Sequence, residues 1–282
     1  MKTWKAYRRR LINQVAMFIA TIFAMLALYC LAWIIITLIY KGLPYLNWRL
    51  LTERTLMASS DGGLANAILG SLLISTFAVI LGGVLGLFVG IYISEYRPEG
   101  RLSQVVRWVL DILLGSPSII FGLLVYEFYV LPQRHFSGWA GCFALSLIVF
   151  PMVARATENM YKMIPSLLRE AVVALGAPDW KVIQFLLAHV IKGGVLTGVL
   201  LAFSRILGEA APLLFTTLNN QFLRFDMNQP MANLPVVIYN YAMSPFENWQ
   251  HIAWSGALLM TTWVLSINIV TRYWLKPLRQ RH

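Results

Sequence analysis

The sequence predicts an all-α polytopic membrane protein with six transmembrane helices and both termini in the cytosol. Of its 282 residues, 59% are hydrophobic and 12% are charged, and the mean hydropathy is +0.66. This composition is too apolar for a soluble domain. Six apolar stretches are each long enough to cross about 30 Å of hydrocarbon as a helix. Of the 23 Lys and Arg residues, 17 flank these stretches on one side, which the positive-inside rule assigns to the cytosol.

The predicted spans are 15–40, 66–94, 106–131, 138–157, 190–219 and 252–275. They leave a basic cytosolic tail at 1–14 and a second cytosolic tail at 276–282. The apolar run of the first span is too long for a cleaved signal and has no convincing cleavage site, which indicates an uncleaved anchor. The net charge of +11 is spread over membrane-flanking segments. It therefore favours contact with anionic membrane lipid and excludes nucleic-acid binding.

The first two spans differ in their expected packing. The first is apolar on every side, which predicts a peripheral helix facing lipid or a partner. The second contains Gly82, Gly86 and Gly90 at four-residue spacing, a ridge that lets two helix backbones approach closely. Cys30 and Cys142 fall inside spans and are expected to pack as small apolar residues, in neither a disulfide nor a metal site.

The third span is interrupted by the polar sequence Gly115-Ser116-Pro117-Ser118, with Asp111 just before it. Pro117 removes a backbone donor and frees a carbonyl, which lipid cannot satisfy. Broken helices that present hydroxyls and unpaired backbone groups are typical of substrate sites near the membrane midplane. The simpler alternative is a proline kink with Ser118 bonded back to its own turn. The candidate substrate-path residues here are Asp111, Ser116, Pro117 and Ser118.

Two charged pairs occur in the later spans. Arg155 and Glu158, three apart at the end of the fourth span, are expected simply to pair with each other. Arg205 and Glu209 lie four apart, which predicts one helical face, and Arg205 is about 20 Å from Lys192 at the cytosolic edge at 1.5 Å per residue. A charge at this depth costs at least about 2.5 kcal/mol, so it should face the bundle interior. A guanidinium suits an anion path, because it bonds phosphate or carboxylate oxygens in planar pairs. The alternative is an intrahelical ion pair that silences both charges.

Between the fourth and fifth spans, residues 164–189 predict two short cytosolic helices joined by a sharp elbow at Gly176. Pro165 suits a first helical turn, Gly176 the left-handed position after a helix, and Asp179 the start of the second helix. Apolar residues recur at helical spacing and form one face with nothing of its own to bury against. They are Ile164, Leu167, Leu168, Ala171, Val172 and Leu175. Taken alone, the segment is also compatible with an amphipathic helix-turn-helix on the bilayer surface.

The elbow resembles the EAA loop of the permease subunits of ABC importers. Glu170, Ala171 and Gly176 match the pattern, while a valine replaces its second alanine. The Leu-Pro that ends the pattern is replaced by Ala188 and His189, so the resemblance is weakest at the junction with the membrane.

Three further segments resemble phosphate-importer permeases. They are GSPSIIFGL at 115–123, SRILGEAAPLLFTT at 204–217 and PMANLPVVIYN at 230–240. The likeness covers most of residues 60–275, which are therefore expected to form one permease domain with its coupling loop at 158–189.

This resemblance implies a type I ABC importer permease fold in a bacterial cytoplasmic membrane, and transport of inorganic phosphate by alternating access. It implies three partners: a second, homologous permease, an ATPase dimer and an extracytoplasmic phosphate-binding protein. ATP and Mg²⁺ would lie on the ATPase, so this chain is expected to be no enzyme and to hold no cofactor. The residues expected to couple to the ATPase are Leu167, Glu170, Ala171, Gly176 and Trp180.

Other functions are less consistent with the sequence. It contains no glycine-rich loop ending in Gly-Lys-Ser/Thr, and its four histidines are scattered without metal-ligand spacing. A permease for another oxyanion, such as sulfate or molybdate, stays open. An ion-coupled secondary transporter using Arg205, Glu209 and Asp111 also stays open, although it would need no exposed elbow and would usually show two related halves.

Overall fold

The computed structural model describes residues 2–56 and 62–274, and all regular secondary structure within these ranges is helical. The predicted tail at 276–282 lies outside the described residues. Five helices are long and apolar enough to cross a membrane, and a bent pair of helices supplies a sixth span. The prediction of a six-span, all-α membrane protein is therefore confirmed.

The helices are α1 (Lys2–Gly42), α2 (Trp48–Thr52), α3 (Ala65–Ile91), α4 (Arg101–Gly115), α5 (Ser118–Val125), α6 (Leu131–Gln133), α7 (Gly138–Lys162), α8 (Ser166–Ala174), α9 (Asp179–Phe185), α10 (Lys192–Leu207), α11 (Ala211–Leu214), α12 (Leu234–Ala242) and α13 (Glu247–Trp274). Wider π-helical turns extend three of them, at Tyr92–Tyr96, Tyr126–Val130 and Leu186–Ile191. The last of these joins α9 to α10, so that both belong to one span, Asp179–Leu207.

The first helix, α1, is peripheral, as predicted. Every side chain at 7–36 is exposed on this chain. At the end predicted to be extracytoplasmic, Leu38 is buried, and the Ser255 hydroxyl of α13 donates a hydrogen bond to the Gly42 carbonyl at 3.0 Å. Helix α1 begins at Lys2, so residues 2–14 of the predicted cytosolic tail are helical and continuous with the first span.

The core of the molecule is the packing of α3 against α7. A Cβ atom added at Gly82, Gly86 or Gly90 would come within 2.5–2.7 Å of a carbonyl oxygen of α7. The two backbones therefore touch along the whole ridge, and the predicted glycine ridge is confirmed. Cys142 is buried in this core, whereas Cys30 is exposed on α1, and both are free thiols.

The third span is broken, as the proline predicted. The axes of α4 and α5 differ by 103°, and the break lies at Ser116 and Pro117, whose backbone is extended. Pro117 caps α5, while the Ser116 hydroxyl donates to the carbonyl of Ile112 at 2.7 Å. The hydroxyl that bonds back to its own turn is thus Ser116, not Ser118 as the simpler alternative proposed.

The predicted fifth span, 190–219, is wrong at both ends. The helix already begins at Asp179, in the coupling segment, and stops at Leu207. Gly208 forms a turn, and Pro212 belongs to the separate short helix α11. The apolar run continues past Leu207, so hydropathy alone could not locate this end.

The segment at 230–240, one of those that resemble phosphate-importer permeases, is largely buried in the structure. Residues 231–237 are buried between α3 and α13, and they include the start of α12. The Ser71 hydroxyl accepts from the amide of Leu234 at 2.7 Å, and the Asn233 amide donates to the Thr217 hydroxyl at 2.7 Å. The first of these bonds satisfies the backbone amide at the start of α12 inside the fold, which lipid could not do.

Candidate functional site

Three of the predicted path residues meet in one concavity beside the break in the third span. It is small and is lined by Leu113, Leu114, Ser116, Ser118, Phe121, Ile148, Pro151, Met152 and Arg205. The end of α4 and the start of α5 supply the two serines, α7 supplies the wall, and the last turn of α10 supplies Arg205. The Arg205 guanidinium and the Ser118 hydroxyl can donate hydrogen bonds to an anion in this apolar surround, whereas the Ser116 hydroxyl already donates to Ile112.

Arg205 is available at this site and is only loosely paired. Its Nε atom lies 3.9 Å from Oε1 of Glu209, which is beyond hydrogen-bonding distance, and its side chain is 52% exposed. Glu209 lies beyond the end of α10, so the expectation that both residues share a helical face is wrong. Glu209 nevertheless stays within ion-pair reach of Arg205, because the chain folds back in the turn at Gly208.

Asp111 does not join Arg205. Its carboxylate accepts a hydrogen bond from Arg155 of α7, although the Asp111 side chain is 61% exposed. Ser116, Ser118 and Arg205 are thus brought together, Pro117 positions them by breaking the helix, and Asp111 belongs to a second cluster.

That second cluster surrounds Glu158, whose carboxylate is completely buried. Arg107 of α4 donates to Oε1 at 2.6 Å, Arg155 donates to Oε2 at 2.7 Å, and the Lys162 ammonium lies 2.7 Å from Oε1. The predicted local pair of Arg155 and Glu158 is confirmed, but it is one part of a network of five charged residues.

The same network fastens α4 to the turn that precedes it. Arg107 also donates to the carbonyls of Ile93 and Pro98, both at 2.7 Å, and Arg155 donates to the carbonyl of Arg107 at 2.9 Å. Part of this network could have been predicted from the sequence. Arg155 lies three positions before Glu158 and Lys162 lies four positions after it, so all three charges share one helical face. The partner from α4 could not be found that way, because Arg107 lies 51 positions away in the sequence.

The elbow folds as predicted. Pro165 caps α8, Pro178 caps α9, and Gly176 between them adopts a positive φ of 76°. Space does not require glycine there, because a Cβ on Gly176 would meet nothing within 4 Å. The left-handed backbone conformation favours glycine over residues with a bulky or β-branched side chain.

The predicted apolar face of the elbow is partly buried against the rest of this chain and partly exposed. Ile164 and Val172 pack against α9 and the end of α3, which corrects the prediction that this face finds nothing to bury against. The exposed part includes Leu167 at 76% and Leu175 at 87%, and Trp180 of α9 beside them is 57% exposed. Glu170 and Ala171 are exposed on the same helix. All five predicted coupling residues are therefore accessible.

The elbow is fastened to the membrane helices at two points. Both Nη atoms of Arg169 donate to the carboxylate of Glu95 at 2.6 Å, and the Glu95 side chain is only 4% exposed. The Tyr161 hydroxyl donates to the carbonyl of Ile183 at 3.3 Å, which ties α7 to α9. A bidentate arginine–carboxylate pair is specific in orientation as well as strong, so it holds α8 against the π-helical turn that follows α3.

The arrangement is that of a membrane permease. A break in a spanning helix lies beside Arg205 on a face that this chain leaves exposed, and an elbow with accessible apolar residues lies at one end. The expectation that Arg205 faces the interior of this chain's own bundle is therefore wrong. Within the described ranges, no group of three or more histidine, cysteine or acidic residues could hold a metal ion.

Comparison with known proteins agrees with this class. The family model "Binding-protein-dependent transport system inner membrane component" matches residues 82–281, and the chain belongs to this family. Two similar curated relatives are named phosphate transport system permease protein PstA, from Haemophilus influenzae (49% identity) and Pasteurella multocida (47%). Each match covers 94% of this chain and 94% of the relative. An inward-facing structure of the MetNI methionine ABC transporter has the same fold, with a TM-score of 0.62 and 18% identity over 76% of this chain and 95% of that chain.

Proposed function

We propose that this chain is the permease subunit of an importer for inorganic phosphate, and that phosphate passes the concavity formed by Ser116, Ser118 and Arg205. The chain's membership in a transport-permease family gives the class, and the relatives named PstA favour phosphate as the substrate. The half-exposed guanidinium of Arg205, on an otherwise apolar helix of the bundle, is the observation that carries the proposal.

The exposure of Arg205 also argues for a second permease. A charged side chain is too costly in lipid, so a face that exposes Arg205 and Asp111 must border protein or a water-filled cavity. On the same face, α4 exposes an apolar stripe that includes Val105, Trp108 and Ile112. A homologous, PstC-type permease packed against this stripe would close the path and remove both charges from lipid.

The elbow gives the route by which an ATPase drives the cycle. Leu167, Leu175 and Trp180 are exposed apolar residues on a segment predicted to be cytosolic, and such a surface is typical of a docking site. A PstB-type ATPase dimer, which binds ATP and Mg²⁺, would hold this surface. On the opposite side of the membrane, a PstS-type binding protein would deliver phosphate.

Movement of the elbow reaches the path through ionic contacts. Arg169 and Glu95 couple α8 to the end of α3, and the Glu158 network couples α7 to α4. Because α4 ends at Ser116, a shift of α4 changes the shape of the concavity directly. In alternating access, the break at Ser116 and Pro117 would then shift with α4, and α5 would shift with it.

The experiment is ATP-dependent uptake of radiolabelled phosphate by the complete complex in liposomes, competed with sulfate or molybdate. Excess unlabelled phosphate should abolish uptake of the label, whereas the other two oxyanions should leave it nearly unchanged. Equal competition by sulfate or molybdate would contradict phosphate specificity.

A set of variants tests the role of Arg205. We expect Arg205→Gln to abolish uptake while the complex still assembles, and Glu209→Gln to act more mildly, because it keeps an acceptor near the guanidinium. Arg97→Gln, which changes an exposed arginine in the turn before α4, is the matched control and should transport normally. If the pair is purely structural, each single variant strands a charge and the double variant Arg205→Gln/Glu209→Gln recovers uptake. Recovery in the double variant would refute the path through Arg205.

A further inference from the structure

A second polar site lies one helical turn from the concavity, where Asp111 of α4 contacts Arg155 of α7. Asp111 precedes the lining residue Leu114 by three positions, and Arg155 follows the lining residue Met152 by three. Residues three apart on a helix share a face and are separated by about 4.5 Å along its axis. The contact between Asp111 and Arg155 therefore lies next to the concavity on both helices.

Both helices place this contact on the side of the concavity that faces the elbow. Helix α4 begins after a turn predicted to be cytosolic and runs toward the break, so Asp111 lies between that turn and the concavity. Helix α7 runs the opposite way and ends at Lys162, just before the elbow, so Arg155 lies between the concavity and the elbow. An anion that leaves the concavity toward the cytosol would therefore meet Asp111 and Arg155 next.

The two carboxylates of the Glu158 network are held with different firmness. Glu158 is fully buried and contacts three cations, whereas Asp111 is 61% exposed and joins the network through Arg155. Helix α4 is held on α7 by other bonds as well, because Arg107 donates to Glu158 and Arg155 donates to the carbonyl of Arg107. An exposed ion pair adds little to stability. Asp111 is thus the carboxylate that another anion can displace.

The charge of the network also favours an anion. The network contains three cations and two carboxylates, so positive charge is in excess even while Asp111 is bound. The Arg155 side chain is 21% exposed, and its Nη2 atom donates to Asp111. A guanidinium donates to phosphate oxygens with the geometry that it uses for a carboxylate. Phosphate can therefore accept the hydrogen bond that Arg155 donates to Asp111.

We propose that Arg155 and Asp111 form an exit station for the transported anion. Phosphate that leaves the concavity takes the place of the Asp111 carboxylate on Arg155, and the returning carboxylate then displaces it toward the cytosol. The station rests on the proposed function, since an anion reaches it only if the chain carries one from the concavity. Arg155 binds the anion, and Asp111 controls its release.

The test places a single cysteine at the station, in the complete complex in inside-out membrane vesicles without nucleotide. Asp111→Cys, in a background free of Cys30 and Cys142, presents a thiol beside Arg155 to a negatively charged methanethiosulfonate reagent. We expect inorganic phosphate to slow its modification at least about fivefold relative to chloride at equal ionic strength, because phosphate occupies the guanidinium. Glu99→Cys, at an exposed position in the turn before α4, is the control and should react equally in both salts. Equal rates for Asp111→Cys in both salts would overturn the proposal.

Substitution of the arginine tests which group holds the anion. Asp111→Cys/Arg155→Gln should lose the protection by phosphate, whereas Asp111→Cys/Arg155→Lys should keep part of it, because lysine retains a cation. Protection that persists in the glutamine variant would refute Arg155 as the binding group. If the glutamine variant does not assemble, the comparison of phosphate with chloride on Asp111→Cys decides the question.

Uptake by the complete complex in liposomes tests the role of the carboxylate. We expect Asp111→Asn to keep its unfolding midpoint and to lower the maximal rate of phosphate uptake at least about threefold without raising KM, because release from Arg155 becomes slower. Asp111→Glu should restore the rate. An unchanged rate for Asp111→Asn, or a lower rate accompanied by a lower midpoint, would contradict a role in release.

Failure of the station can be told apart from failure of the proposed function. Normal uptake by the unaltered complex, without protection of Asp111→Cys by phosphate, would refute the station alone. Absence of ATP-dependent phosphate uptake by the unaltered complex would refute the proposed function and the station with it.

Discussion

At the scale of single residues, Glu158 is the most constrained charge in the described part of the chain. Its side chain is fully buried, and three cations contact its carboxylate. We expect Glu158→Gln to destabilise the complex by about 3–5 kcal/mol, because it leaves the mostly buried guanidinium of Arg107 without an anion. The measurement is the thermal unfolding midpoint of the purified complex. Glu99→Gln, at an exposed glutamate of the turn before α4, is the control and should leave the midpoint unchanged.

An unchanged midpoint for Glu158→Gln would mean that hydrogen bonds alone hold α4 on α7. In that case the Glu158 network could not be what passes movement of the elbow on to α4. The proposed phosphate path at Arg205 would be unaffected.

The sequence allowed the roles of single residues to be predicted where the signal is local. Pro117 lacks the backbone donor that a continuous helix uses, and Arg205 is costly in lipid whatever its neighbours. The local signal has exceptions, since Pro151 lies inside α7 without ending it. The partners of Glu158 and of Arg169 come from segments 51 and 74 positions away. A local sequence pattern carries no information about residues so far apart in the chain. These contacts could therefore be identified only from the folded structure.

At the scale of elements, the packing of α3 on α7 gives a matched pair of glycines. A Cβ at Gly86 would lie 2.6 Å from the Phe150 carbonyl oxygen, whereas a Cβ at the neighbouring Gly83 would meet only Val79, at 3.9 Å. We expect Gly86→Ala to reduce the amount of folded, membrane-inserted protein. Gly83→Ala should be neutral or stabilising by up to about 1 kcal/mol, because alanine favours helix over glycine. Both are measured by expression and thermal unfolding, and equal behaviour of the two variants would contradict the close packing.

The elbow provides a second pair of variants, at a single position. Valine at Gly176 would have to adopt a left-handed conformation that costs roughly 1–2 kcal/mol, so the angle between α8 and α9 should change. We expect Gly176→Val to insert normally but to lose most phosphate uptake, with ATP hydrolysis no longer stimulated by the loaded binding protein. Asparagine tolerates the same conformation, and Gly176→Asn should retain uptake. Full uptake by the inserted valine variant would exclude the elbow as the coupling element.

Element ends were harder to predict than element types. Both ends of the span that contains Arg205 were wrong, because an apolar run continues through Leu207 while the backbone leaves the helix. Likewise, residues 231–237 resemble a loop in sequence, because they contain a proline and the polar residue Asn233. In the structure, Asn233 and Ser71 satisfy their backbone inside the fold. Hydropathy measures the preference of side chains for lipid and carries no information about such internal hydrogen bonds.

At the scale of the whole molecule, the proposed function requires that the elbow and the segment before α13 lie on opposite sides of the membrane. The basic-residue count predicts the elbow on the cytosolic side. Single cysteines in a Cys30- and Cys142-free background test this. Ser244 is unsuitable as the outer probe because it is only 8% exposed, whereas the adjacent Met243 is 71% exposed.

In intact cells that lack the binding protein, an impermeant thiol reagent should label Met243→Cys and not Ser166→Cys. After membrane disruption, Ser166→Cys should become reactive, because Ser166 is exposed at the start of α8. Labelling of Ser166→Cys but not of Met243→Cys in intact cells would invert the orientation. It would place the ATPase-docking surface of the elbow outside the cell, where no ATP is available, and importer function would then be excluded.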